Sequence, residues 1–130
     1  MSKCPIDTAL RYLGNKWTFH IIRDLFFGKK SFNEFLKEEG LYGGVLSKRL
    51  KELRDNGIIE KKVSDTFPVL IEYHLTEKGR ALNKVLYELA VFGLSSCPEF
   101  EDFSKNSKYF LKGLENLKKS LDLMDEVSEV

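Results

Sequence analysis

The sequence predicts a mainly α-helical chain that carries one small β-hairpin. Three observations predict it. Apolar residues recur at helical spacing from residue 5 to residue 57, punctuated by Gly14, Gly28, Gly40 and Gly57. The period then changes to two over about residues 58–75, around the turn signal Asp65-Thr66-Phe67-Pro68. Near the end, Phe103, Phe110, Leu114, Leu117, Leu121 and Met124 step by seven, four, three, four and three, which is a heptad seam.

Each element has its own local warrant. CPIDTALRYLG starts with Pro5, which a first helical position tolerates, and it sets Leu10 and Leu13 on one face. KWTFHIIRDLFFG spaces Trp17, Ile21 and Leu25 four apart, and Gly28 stops it. SFNEFLKEE opens on the Ser31–Glu34 capping box, with Phe32, Phe35 and Leu36 as its buried face. VLSKRLKELRDN turns Leu46, Leu50 and Leu53 inward and stops at Gly57. IIEKKVS and VLIEYHL then read as strands, the second with Val69, Ile71, Tyr73 and Leu75 on one face. Thr76 is placed to cap a further helix running through Leu82, Leu86 and Leu89 to about Leu94.

A short helix, a turn, a second amphipathic helix and a two-stranded hairpin make the order of a winged helix-turn-helix. The helix from Val45 is then the recognition helix and the hairpin is the wing. With Leu46 at 0° and 100° per residue, Leu50 and Leu53 fall within about 40° of it, while Gly44, Lys48, Lys51 and Asp55 fall opposite. An outward lysine neutralises phosphate, and a small residue lets a helix N-terminus approach one. The same lysines also suit a solvated face, offset by Glu52 and Asp55.

Length and charge fit this arrangement. The chain has 130 residues, a hydrophobic fraction of 42% and ten Phe, enough for one domain with a helical extension. Residues 1–94 are expected to form the winged helix-turn-helix, with the wing at about 58–75, and residues 95–130 a C-terminal dimerisation helix. Net charge is only +1, but residues 1–31 hold six Lys/Arg against two acids, and residues 99–130 five Lys against eight acids. Local patches therefore matter more than the sum. The chain runs directly into charged, helical sequence without a secretory pattern, and no apolar run approaches the ~20 residues of a membrane span. A cytoplasmic protein without membrane contact is expected.

The residues resemble the HxlR-type, MarR-related winged-helix transcription regulators. Cys4-Pro5 stands at the start, LGNKW (13–17) matches the family's IGGKW, and FNEF (32–35) its F-x-E-L. LSKRLKELRDNGIIEKK (46–62) and FPVLIEYHLTEKGRAL (67–82) match its two longest runs, so the resemblance covers roughly residues 4–94. It implies a homodimer that binds a palindromic operator in double-stranded DNA and answers a chemical signal, an oxidant or a small molecule. The expected DNA contacts are Ser47, Lys48 and Lys51 in the major groove, with Gly44, Arg49 and Ser31 near the backbone. Lys61, Lys62 and Thr66 serve on the wing.

Two positions depart from the family pattern. Tyr42-Gly43-Gly44 replaces a Ser-led opening of the recognition helix, and Leu70 stands where a wing arginine is usual. The missing arginine and the near-zero net charge motivate an alternative, a winged helix that binds protein and not DNA.

Cys4 and Cys97 each precede a proline at an expected helix start, where the helix dipole favours a thiolate. Family members sense oxidants through a cysteine at the position of Cys4, so the resemblance implies the same role here; a small apolar filler is the plainer reading. The terminal heptad either pairs with its twin or folds back on its own domain. Pairing is preferred, through Phe103, Phe110, Leu114, Leu117 and Leu121, with Leu10 contributing from the first helix. His20 and His74 have no ligand at metal spacing, and neither a phosphate loop nor a nucleophile–base pair occurs. No metal, no cofactor and no enzyme activity are expected.

Overall fold

The structure, a computed structural model, describes residues 3–38, 40–96, 115–116 and 118–121. The chain divides into two compact units, Met1–Arg80 and Ala81–Val130.

The first unit runs α1 (Pro5–Leu13), α2 (Lys16–Phe26), α3 (Phe32–Phe35), α4 (Gly43–Asp55), β1 (Ile59–Val63), β2 (Ile71–Leu75) and α5 (Glu77–Arg80). This is the winged-helix order, mostly helical with one antiparallel hairpin. Asn15 caps α2 by accepting the Trp17 N–H at 2.9 Å. The capping box of α3 is complete: the Ser31 hydroxyl accepts the Glu34 N–H, and the Glu34 carboxylate accepts the Ser31 N–H, both at 3.2 Å.

Beyond its cap, α3 is shorter than its sequence suggests. The N–H groups of Lys37 and Glu38 reach back three residues, to Glu34 and Phe35, and not four. That tighter turn takes the chain off the α-helical path after Phe35. By contrast α4 starts two residues before Val45, at Gly43. It ends at Asp55 with Asn56 as its C-cap, and Gly57 next takes a φ of 73° that a side chain would resist.

The core of this unit joins helices to hairpin. Ile21 and Ile22 of α2, Phe35 of α3, Leu46, Leu50 and Leu53 of α4, and Ile58, Ile59, Tyr73 and Leu75 of the hairpin are all buried. Phe35 and Tyr73 pack as tilted rings 6.2 Å apart. Burying each such side chain stabilises by about 1.5–3 kcal/mol, so this shared core fixes the hairpin's base to α4.

Register runs from Ile59↔Leu75 at the base to Val63↔Ile71 near the tip. The expected apolar face of the second strand is correct in parity, but its burial stops half-way. Tyr73 and Leu75 are buried, whereas Ile71 and Val69 are 44% and 55% exposed. The hairpin simply outruns the body that covers its base.

The helix expected from Thr76 to about Leu94 is two helices. α5 ends at Arg80, the chain turns at Ala81-Leu82, and α6 (Asn83–Ser96) follows in the second unit. The boundary expected near residue 94 lies inside α6. Residues 115–116 and 118–120 are helical, and Leu121 is buried. Asn83 donates its side-chain N–H to the Leu121 carbonyl at 3.0 Å, and the Lys118 ammonium lies 5.5 Å from the Tyr87 ring. This stretch therefore folds back along α6. Among the described residues, no helix is long and apolar enough to cross a membrane.

Candidate nucleic-acid interface

Burying Leu46, Leu50 and Leu53 forces the opposite face of α4 outward. Ser47, Lys48 and Lys51 stand exposed on it, as does Gly44 in the first turn. Lys48 has no carboxylate within ion-pair distance among the described residues. Lys51 meets Asp55 at 3.0 Å, one turn on, with both side chains more than half exposed. Such a surface pair is worth little and yields readily to a phosphate.

Arg49 is placed differently. Its side chain is only 18% exposed, and its guanidinium bonds Glu52 at 2.7 Å. Its Nε is buried without a hydrogen-bond partner. Reaching a phosphate would require it to leave Glu52.

The start of α4 is open. Tyr42 is the N-cap residue and makes no side-chain capping bond, so the first N–H groups are left for another acceptor. An added Cβ at Gly44 would meet nothing within 4 Å. Nearby in sequence, Ser31 is half-buried and its hydroxyl is engaged on both sides by Glu34. Its neighbour Lys30 pairs with Glu72 of the wing at 3.2 Å and accepts the Tyr73 N–H on its carbonyl at 2.8 Å. The His74 imidazole, then the Lys30 ammonium, hold the Glu72 carboxyl below the ordinary carboxylate range.

On the wing, Lys61 and Lys62 are both exposed. Lys62 lies 3.5 Å from Glu60. Thr66 sits in the tip, where its hydroxyl contacts Ser64 Oγ at 2.8 Å and donates to the Pro68 carbonyl at 3.2 Å. The structure thus brings Ser47, Lys48 and Lys51 onto one face and Lys61, Lys62 and Thr66 onto the hairpin anchored at that helix's end. Ser31 and Arg49 are already committed to carboxylates.

Cys4 is the N-cap residue of α1 and is exposed. Its carbonyl accepts the Thr8 N–H at 3.1 Å. Leu10 is 54% exposed, and Ile6, one turn before it, is 68% exposed. That pair extends the apolar face of α1, and its four-residue spacing was visible in the sequence. Phe103, Phe110, Leu114, Leu117 and Cys97 lie outside the described residues. Two other features were not expected: Phe67 exposed at the wing tip, and an exposed stripe of Val85, Leu89 and Phe92 on α6.

Comparison with known proteins places this arrangement. Residues 12–101 match the family described as HxlR-like helix-turn-helix. The chain is 38% identical over 94 residues to YdeP of Bacillus subtilis (strain 168), described as an HTH-type transcriptional regulator, covering 69% of this chain and 71% of that one. It is 38% identical over 96 residues to YodB of the same organism, an HTH-type transcriptional regulator, covering 72% of this chain and 86% of that one. The solved structure of reduced YodB superposes with a TM-score of 0.65 at 37% identity, over 74% of this chain and 96% of that one. Oxidised HypR, described as a redox regulator, superposes with a TM-score of 0.67 at 33% identity, over 72% and 97%. The match spans most of the first unit and reaches through α6, and the fold is the winged helix these regulators share. This chain is a transcriptional regulator of the HxlR-like helix-turn-helix family.

Proposed function

We propose that this regulator binds a palindromic operator in double-stranded DNA as a homodimer. The observation that carries the reading is the exposed Ser47–Lys48–Lys51 face set opposite the buried Leu46–Leu50–Leu53 stripe. Such a helix enters the major groove with small and cationic groups foremost. Gly44 and the uncapped first turn of α4 approach a phosphate, while Lys61 and Lys62 neutralise phosphates beside the wing. Ser31 caps α3 and Arg49 is held along α4 by Glu52, so each acts on DNA only after giving up its carboxylate partner. Two copies bring two α4 helices to the ~34 Å spacing of one DNA turn. The dimer forms through the exposed Ile6–Leu10 face of α1 and the extension from residue 95, with Leu121 anchoring that extension on α6.

Cys4 is the proposed sensor of an oxidant or electrophile. It is exposed at the start of α1, the helix that also carries the dimer face, so a change at its sulfur can alter how two copies meet. The likeness to a protein described as a redox regulator supports the same reading.

The test is fluorescence-anisotropy binding to DNA upstream of the protein's own gene, with and without diamide. Retention with a steep salt dependence supports the DNA reading. A diamide effect that vanishes in Cys4→Ser supports the sensor. Failure to bind any duplex at low salt contradicts the DNA reading and leaves a protein-binding winged helix.

A further inference from the structure

The wing tip carries a large apolar residue in a place where water is its only cover. Phe67 is 98% exposed, the highest value of any large apolar residue described, and Val69, Leu70 and Val63 are each more than half exposed. Keeping an aromatic ring in water forfeits the free energy that its 150–250 Å² of surface would gain on burial.

The tip that holds this ring is pinned. The Ser64 N–H donates to the Leu70 carbonyl at 2.8 Å, and the Leu70 N–H returns to Ser64 Oγ at 2.8 Å. Inside that ring of bonds, Thr66 Oγ1 is tied to Ser64 Oγ and to the Pro68 carbonyl. Ordering costs at the tip are therefore largely met before any partner arrives. The base is fixed as well, since the Ile58 N–H donates to the Leu53 carbonyl of α4 at 2.9 Å.

Charge at the tip excludes a phosphate clamp. From Val63 to Leu70 the one charged residue is Asp65, which repels phosphate. The cations lie behind the tip, at Lys61 and Lys62. Reach fits a neighbouring groove: a five-residue strand spans about 17 Å, close to half of a ~34 Å DNA turn. Size argues against a protein as the tip's main partner. One ring and three aliphatic side chains fall far short of the ~1,000 Å² that a specific protein interface buries, whereas a wedge between base pairs needs a single apolar group.

We propose that Phe67 is an apolar wedge that enters the minor groove beside the α4 site, partly unstacking a base step and bending the duplex. Lys61 and Lys62 hold the phosphates flanking that step. The wing then reads deformability, favouring flexible pyrimidine–purine steps beneath its tip. This inference rests on the DNA-binding reading above and names how one part of that site works.

The experiment uses a duplex selected by the full-length protein from a random-sequence pool. Bending is followed by energy transfer between dyes at the duplex ends, and unstacking by 2-aminopurine placed at steps flanking the α4 half-site. The wild type should bend the duplex and raise 2-aminopurine fluorescence at one step per half-site. Phe67→Ala should lose both signals and bind about 10- to 100-fold more weakly, the scale of one base–aromatic contact. Its salt slope should not change, because a neutral side chain releases no counterion. Phe67→Leu, also an apolar wedge, should keep most of the bend. Phe67→Ala that binds and bends like the wild type would overturn the wedge while leaving DNA binding intact. A wild type that retains no duplex would overturn both readings.

Discussion

The hydroxyl of Thr76 donates to the carbonyl oxygen of Gly57 at 2.6 Å and so ties together the two ends of the hairpin. The Thr76 N–H also donates to the Ile58 carbonyl at 3.0 Å, and the Gly79 N–H donates to Thr76 Oγ1 at 3.1 Å. One side chain thereby caps α5 and clamps the wing where α4 ends. The base of the hairpin is thereby fixed to the end of α4.

Removing that clamp should cost stability. Thr76→Val keeps the shape but loses the cap and the bond to Gly57, and should lower unfolding free energy by about 1–2 kcal/mol. Gly79→Ala should cost about 1–3 kcal/mol for a different reason: its Cβ would collide with the Ile58 carbonyl oxygen. Urea denaturation followed by far-UV circular dichroism reads both. An unchanged midpoint in Thr76→Val contradicts the clamp, and one in Gly79→Ala contradicts the close approach of Gly79 to Ile58.

Gly44 should separate stability from function. An alanine there meets no atom within 4 Å and suits the helix, so it should stabilise by about 0.5 kcal/mol. If the first turn of α4 touches a phosphate, the added methyl displaces one charged contact, and DNA affinity should fall roughly tenfold. Thermal melting and anisotropy titration of Gly44→Ala check the two signs together. A variant that is more stable and binds equally well would move the phosphate away from Gly44.

A polar cluster built on α2 predicts acid sensitivity. Arg23 bonds Glu38 at 2.6 Å and the buried Asp24 at 3.0 Å; Lys29 lies 3.6 Å from Asp24, and His20 lies 3.4 Å from Glu38. Burial opposes the charge on Glu38, but the hydrogen bond and charge of Arg23 outweigh it, with help from His20 and Lys29, and hold its carboxyl below the ordinary value of 4.5. Burial, then the Arg23 charge and that of Lys16, hold His20 below 6.5, against the pull of Glu38 and Asp24. The folded state thus disfavours protons on both groups relative to the unfolded chain. Stability should fall as pH drops below about 6.5 through His20, and fall further below about 4.5 through Glu38. Urea midpoints from pH 7.5 to 4 test this. His20→Gln should flatten the upper part of the curve and Glu38→Gln the lower part; a flat wild-type curve contradicts it.

Much of the fold was legible because its signals are local. The Ser31–Glu34 box, the Leu46–Leu50–Leu53 stripe and the change of period after Gly57 each depend on residues within one or two turns of each other. What covers a face is not local, and there the sequence said less. Period two placed Val69 and Ile71 on the core face but could not tell that the core ends at Tyr73. The heptad placed Leu121 on a seam, and it is buried, with its carbonyl accepting the side-chain N–H of Asn83, thirty-eight residues earlier. Helical angle set Lys48 and Lys51 outward correctly, while the i,i+3 spacing of Arg49 and Glu52 was the signal that Arg49 turns sideways onto a carboxylate. The turn signal at Phe67 was clear, but its consequence, an aromatic ring held in water, needed the geometry of the tip.

The most direct test of the central claim is the salt dependence of binding to a selected duplex, measured for the wild type and for Lys48→Ala with Lys51→Ala. The exposed α4 face predicts that the double variant keeps its fold and oligomeric state but binds at least ~30-fold more weakly. Its slope of log affinity against log salt should be shallower by about one to two, for the phosphates no longer neutralised. Equal affinity and equal slope in the two proteins would show that α4 does not present this face to DNA.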